Sequence, residues 1–199
     1  MMEKRTVTAS SDNRTIAKYA AAAFGGRPDV VEYGHEELDL TVGILECKDR
    51  PTQGVTAYST IKLSDYPMLD GEKEFPMRLE LCTAFASSYS IAANILATAA
   101  FIVMRTNRVC FPGAVIENAV REYDPDSLLP HLYLTSPFLW ENDLKSLKLP
   151  AGNTVTWLLA IPVAQTEVDY LCNHNAQSLE SIFESRQIDF FNPHREAVL

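Results

Sequence analysis

Residues 75–108 read FPMRLELCTAFASSYSIAANILATAAFIVMRTNR, and the fold turns on how this stretch is divided. Its first part alternates, with Met77, Leu79 and Leu81 set against Arg78 and Glu80, the period of a strand over 77–83. The next 21 residues, 84–104, carry no charge. Length alone would admit a membrane-spanning helix, for which roughly 20 apolar residues suffice. The internal pattern argues for a different setting. Ser87, Ser90, Asn94 and Thr98 lie on one narrow helical stripe, while Ile91, Ile95 and Ile102 lie on another with Leu96 and Val103 beside them. Many alanines in the same run let a sheet or a second helix approach closely. The pattern is that of a helix buried in a protein core, ending at the basic residues Arg105 and Arg108.

On the amino-terminal side, residues 12–24 have the spacing of an amphipathic helix, with Ile16, Ala20, Ala23 and Phe24 on one face, Ser11 or Asp12 as the cap, and Gly25 and Gly26 as the stop. Short strands follow at 29–33, 38–45 and 55–63, the last two alternating, and the short connections between them favour antiparallel neighbours. The connection at 64–76 is longer than a turn requires and carries Asp65, Asp70, Glu72 and Glu74; it is either a solvated excursion or a functional loop. On the carboxy-terminal side, Phe111, Pro112 and Gly113 form a turn, 115–123 a short acidic helix and 131–135 a strand. Residues 154–161, TVTWLLAI, are apolar on both faces, as a strand covered on two sides would be. Helices at 166–174 and 176–185 close the chain, the second capped by Asn175. The expected fold is α+β in a single domain spanning 1–199: a central, mostly antiparallel or mixed sheet packed against the long buried helix, with shorter helices at both ends. Residues 1–11 are expected to be flexible, and the tail 187–199 to pack on the body through Ile188, Phe190 and Val198.

Composition agrees with one core. The chain has 199 residues, 47% of them hydrophobic and 22% charged. The first fourteen lack the apolar run of a secretory leader, which points to the cytoplasm. Cys47, Cys82, Cys110 and Cys172 form no CxxC pair and read as reduced thiols. A net charge of −9 and a pI near 4.9 disfavour nonspecific contact with nucleic acid or anionic membrane and suit a basic protein partner.

Catalytic patterns do not assemble. His35, Glu36 and Glu37 offer the HxE of a zinc deaminase, but no PCxxC follows, and HExxH is absent. Cys172 and His174 are two apart on an expected helix and point to different faces. No GxSxG, P-loop or GxGxxG occurs. No catalytic residue, cofactor site or metal site is therefore assigned. A cysteine nucleophile served by a distant histidine stays open, since spacing neither shows nor excludes it.

Resemblance extends the reading. CKDRPTQGVTAYSTIKLSD at 47–65, FPGAVIENAVREY at 111–123, SPFLWE at 136–141, TVTWLLAIPV at 154–163 and the ending ESRQIDFFNPHREAVL resemble, in order, the suppressor-of-fused (SUFU) domain family, and within it a bacterial antitoxin and immunity branch. The resemblance implies a non-enzymatic protein that binds and sequesters a partner, in that branch a toxin and commonly a nuclease. It also implies that the second lobe of eukaryotic relatives is missing here. The alternative is a general sequestration module without a toxin partner. Candidate partner-binding residues are Thr56, Tyr58 and Thr60, on a strand face that is either an interface or covered by a helix of the same domain, and the acidic Asp65, Asp70, Glu72 and Glu74. Trp140 beside its loop reads as either core or contact, and Trp157 as core. Arg50 and Arg195 are expected to anchor loops to carboxylates.

Overall fold

The computed structural model describes residues 10–199. In chain order the elements are α1 (Ser11–Phe24), β1 (Pro28–His35), β2 (Leu40–Lys48), β3 (Val55–Ile61), β4 (Leu69–Asp70), β5 (Lys73–Glu74), β6 (Met77–Ala86), α2 (Ala92–Thr106), β7 (Val115–Ile116), β8 (His131–Thr135), β9 (Leu147–Lys148), β10 (Thr154–Val163), α3 (Gln165–Asn173) and α4 (Ala176–Ser185). Eight strands form one mixed sheet in the order β1-β2-β3-β6-β10-β8-β7, with β9 added to β10. The first four are antiparallel neighbours in register, for example Ile44↔Thr60 and Ser59↔Cys82. At the centre β10 lies parallel to β6, with Leu158 opposite Leu81, and β8 and β7 then continue antiparallel. The α+β architecture read from the sequence is the one observed.

Both faces of this sheet are covered. On one, Ile95, Leu96 and Phe101 of α2 pack against Val42, Ile44, Leu79, Leu81 and Phe85. On the other, Ile16, Ala20 and Phe24 of α1, together with Trp140 and Leu144, cover Leu45, Ala57, Cys82, Trp157 and Leu159. α3 and α4 close the β8–β10 end over Tyr133 and Val163. Each fully buried Leu, Ile or Phe here contributes roughly 1.5–3 kcal/mol of transfer free energy, so two-sided coverage is what stabilises a sheet with strands as apolar as β10. Among the described residues no helix is long and apolar enough to cross a membrane, and all four cysteines are free.

Several boundaries differ from expectation, each for a local reason. α2 begins at Ala92, not at residue 84, because β6 continues pairing with β3 as far as Val55↔Ala86. Ser87 and Ser90 therefore belong to a turn, where Ser87 Oγ shares a 2.8 Å hydrogen bond with Thr56 Oγ1. No helix forms over 115–123. After the two residues of β7, Asn118 takes a left-handed φ of 59°, and its N–H donates to His131 Nδ1 at 3.0 Å, a side-chain partner that replaces a helical one. β2 starts at Leu40 because Glu36–Leu38 make a 3-10 turn closed by Asp39 at φ 49°. The cap of α1 is neither Ser11 nor Asp12 but Ser10, whose Oγ accepts the Asn13 N–H at 3.0 Å. The expected flexible segment 1–11 falls outside the described residues at 1–9, while Ser10 and Ser11 belong to this helix start. Asn175 caps α4, accepting the Ser178 N–H at 2.9 Å.

Candidate partner-binding site

The acidic connection is a small ordered hairpin. Leu69 pairs with Glu74 and Asp70 with Lys73. Gly71 has φ 63° at the first of the two loop residues, the position that a type II′ hairpin turn reserves for glycine. The buried helix positions this exposed loop. Where α2 ends, Asn107 adopts φ 49°, and its carbonyl accepts the Leu69 N–H at 2.6 Å. Met68, buried in the core beneath, accepts the Phe75 N–H through its carbonyl at 2.8 Å. The result holds Asp70, Glu72 and Glu74 in solvent on a base tied to the core. Glu74 pairs with Arg78, and the exposed Asp65 accepts from Asn13 Nδ2 at 3.2 Å. Asp70 and Glu72 make no ion pair among the described residues.

Beneath the start of this loop sits a carboxyl that sequence reasoning placed on the polar side of its strand. Glu80 is fully buried. Its Oε1 accepts the Lys62 N–H and the Ser64 N–H, both at 3.1 Å, and the Ser64 hydroxyl at 2.7 Å, while Oε2 accepts from Thr60 Oγ1. Lys62 has φ 90°, so the carboxyl satisfies the backbone of a sharp corner that launches the chain toward the hairpin. Burial pushes Glu80 up to about 7, against the lowering effect of its hydrogen bonds from Thr60 and Ser64.

The other expected contact residues are placed elsewhere. Thr56, Tyr58 and Thr60, candidates for an outward face, are 2%, 6% and 0% exposed: Tyr58 packs in the core cluster that α2 helps to form, while the hydroxyls of Thr56 and Thr60 are taken up by Ser87 and Glu80. Burial, reinforced by nearby Glu46, pushes the Tyr58 phenol up to about 12. Trp140 is 5% exposed, its ring 4.4 Å from that of Phe24. These four residues belong to the core and are withdrawn from the accessible contact surface. Trp157 is core as expected, its Nε1–H donating to Ser59 Oγ at 3.1 Å. Arg50 anchors its loop through the carbonyls of Gly25 and Asp49 and not through a carboxylate. Arg195 does meet a carboxylate. Its two amino groups reach Glu167 at 2.7 and 2.9 Å with both partners buried, and one of them also donates to the Pro162 carbonyl at 3.0 Å. Glu167 also accepts the N–H groups of Ala164 and Val198, so this bidentate pair ties the tail to the exit of β10.

His35 packs edge-on against Phe101, and His174 stacks on Tyr170 at 3.9 Å. Among the described residues no three His, Cys, Asp or Glu side chains converge as a metal site would require. A cleft of about 680 Å³ does open between β8 and α4, with Glu180 among its lining residues. The sequence signals for the buried groups were partial. Glu167, three residues beyond the cap position of α3, has the spacing of a capping-box glutamate. Glu80 had none, since a polar residue in an alternating strand reads as solvent-facing.

The model of the family described as "Suppressor of fused protein (SUFU)" matches residues 39–196. The chain belongs to the suppressor-of-fused family. Immunity protein YqcF of Bacillus subtilis (strain 168) is similar along almost its whole length, 36% identical over 190 residues that cover 96% of this chain and 98% of the relative. Among solved structures, a SUFU homologue from Neisseria gonorrhoeae has a TM-score of 0.70 at 16% identity, covering 94% of this chain and 97% of that one. The Sufu–Fu complex gives 0.67 at 14% identity, with 94% and 92% covered. Drosophila Suppressor of Fused gives 0.64 at 14% identity, matching 99% of this chain to 52% of its own, so the SUFU fold seen here corresponds to about half of that protein.

Proposed function

We propose that this protein is an immunity protein that neutralises a toxin, of nuclease class, by direct binding in the cytoplasm, without turnover of a substrate. The single observation that carries the reading is the end-to-end similarity to an immunity protein at 36% identity. The geometry supports it through the hairpin, where Asp70 and Glu72 stand in solvent without an ion pair among the described residues, on a base tied to the core, and Asp65 and Glu74 extend the same acidic rim. Nucleases present basic surfaces to the phosphate backbone, and an acidic rim raises the rate at which such a surface is captured.

The test is co-expression with a toxin encoded next to it. A neutralising binder protects up to equimolar toxin and no further, and forms an isolable complex. Protection at far lower ratios would refute stoichiometric binding and point to catalysis. Capture of a non-toxic partner with no protection would favour a general sequestration module.

A further inference from the structure

We propose that the cleft between β8 and α4 receives an arginine side chain of the protein partner, a role that rests on reading the chain as a protein binder. The cleft has a base of Tyr133 and Thr135 from β8 and Ile161 from β10. One wall is aromatic: Phe138 and Phe190 meet edge to face with centroids 5.0 Å apart, and Phe183 of α4 stands beside them. Glu180 and Glu184, one turn apart on α4, put two carboxylates on the same opening.

Glu180 is held in place. The Tyr133 hydroxyl donates to its Oε1 at 2.9 Å and the Thr135 hydroxyl at 2.6 Å, both from side chains fixed in the sheet. Oε2 receives no protein donor among the described residues, and neither Glu180 nor Glu184 forms an ion pair there. Arg195 lies over the Phe183 ring at 5.4 Å, but both its amino groups are bound to Glu167. The opening thus combines unneutralised negative charge with aromatic walls.

That combination selects its occupant. A guanidinium is planar and weakly hydrated, so it stacks on phenyl rings while its fork of N–H donors meets a carboxylate. An apolar side chain would strip water from Glu180 Oε2 and give nothing back, and an anion would be repelled. A lysine ammonium satisfies the charge but not the flat aromatic wall. The SPFLWE segment divides its labour accordingly: Trp140 turns into the core, while Phe138 lines the cleft and stays 39% exposed, an aromatic surface that a seated partner side chain would bury.

The probe is N-acetyl-arginine amide, titrated into the full chain and followed by backbone amide shifts, with N-acetyl-citrulline amide as the uncharged isostere. Shifts should concentrate at Thr135, Ser136, Phe138, Glu180 and Glu184, with citrulline weaker by about tenfold or more, since a charge-assisted hydrogen bond and a cation–π contact are both lost. Glu180→Gln keeps an acceptor for Tyr133 and Thr135 and should weaken the arginine probe about tenfold by removing the charge. If that variant loses its dispersed spectrum, the exposed Glu184→Gln replaces it with the same expectation. Equal shifts from both probes, shifts outside the cleft, or an unchanged affinity in the folded variant overturn the proposal. Arginine seated in the cleft without protection from a toxin sustains the site and defeats the immunity reading; protection without arginine binding does the reverse.

Discussion

Replacing Glu80 by glutamine should remove a pH dependence that the fold imposes on its own stability. In the folded chain this carboxyl is pushed from 4.5 up to about 7 by burial. A group whose folded value is raised holds its proton in the native state after the unfolded chain has released it. Its contribution is complete below about pH 4.5, declines as pH rises toward 7, and is gone above. At about 1.4 kcal/mol per pKa unit the interval corresponds to a loss on the order of 3 kcal/mol. Glutamine fits the same network. Its oxygen accepts from Lys62, Ser64 and the Ser64 hydroxyl, and its amide donates to Thr60 Oγ1 once that hydroxyl turns to the Leu81 carbonyl, 3.4 Å away. Urea denaturation of both proteins from pH 4.5 to 8.5 isolates the effect, because every other titrating group is common to the two. The stability of the wild type relative to Glu80→Gln should fall by that amount across the interval. Parallel stability curves would refute the buried, proton-holding role assigned to Glu80.

Leu159→Ala should cost about 2–5 kcal/mol, since its side chain is buried between α1 and the sheet, whereas the exposed Glu72→Ala should stay within about 0.5 kcal/mol, both read from denaturation midpoints. Arg195→Met leaves Glu167 charged, buried and short of its partner, and should cost about 3–5 kcal/mol with earlier proteolysis of the tail after Gln187; an unchanged midpoint would show that the pair does not hold the tail. Asp70→Lys combined with Glu72→Lys should slow association with a basic partner and flatten its salt dependence while leaving the thermal midpoint unmoved. Unchanged association kinetics would take the hairpin out of the encounter surface. Glu74 is left alone in that variant because its reversal would set a lysine against Arg78.

Elements whose pattern is their own burial pattern were legible in the sequence. β10 reads as a two-sided strand because it is one, and α2 as a core helix because its residues from Ile95 to Met104 are apolar nearly all round. Boundaries failed where alanine and serine suit either conformation: Ala84, Phe85 and Ala86 entered the strand only because β3 offers them partners. Alternation in β3 suggested one wet face, but Tyr58 lies in the core with α2 while Thr56 and Thr60 bond to Ser87 and Glu80, and no local signal in a strand reports that segments from elsewhere will cover it. At the candidate site, the acidic hairpin was visible because charge marks a loop. The Glu180 cleft was not, since it is assembled from β8, β10, α4 and the tail, segments that only the fold brings together.

The parallel pairing of β6 with β10 also governs the order in which the chain can be completed during synthesis. β1, β2, β3 and β6 are sequential antiparallel neighbours, and α2 follows at once to seal one side, so this half has its partners soon after it leaves the ribosome. The outer edge of β6 must wait for Thr154–Leu159, because Met77 finds Thr154 only after the whole intervening chain has been made. Until then a nascent chain carries a strand edge with unpaired backbone groups, the kind that recruits other strands. That seam closes only when Thr154–Leu159 has emerged to pair with Met77–Cys82.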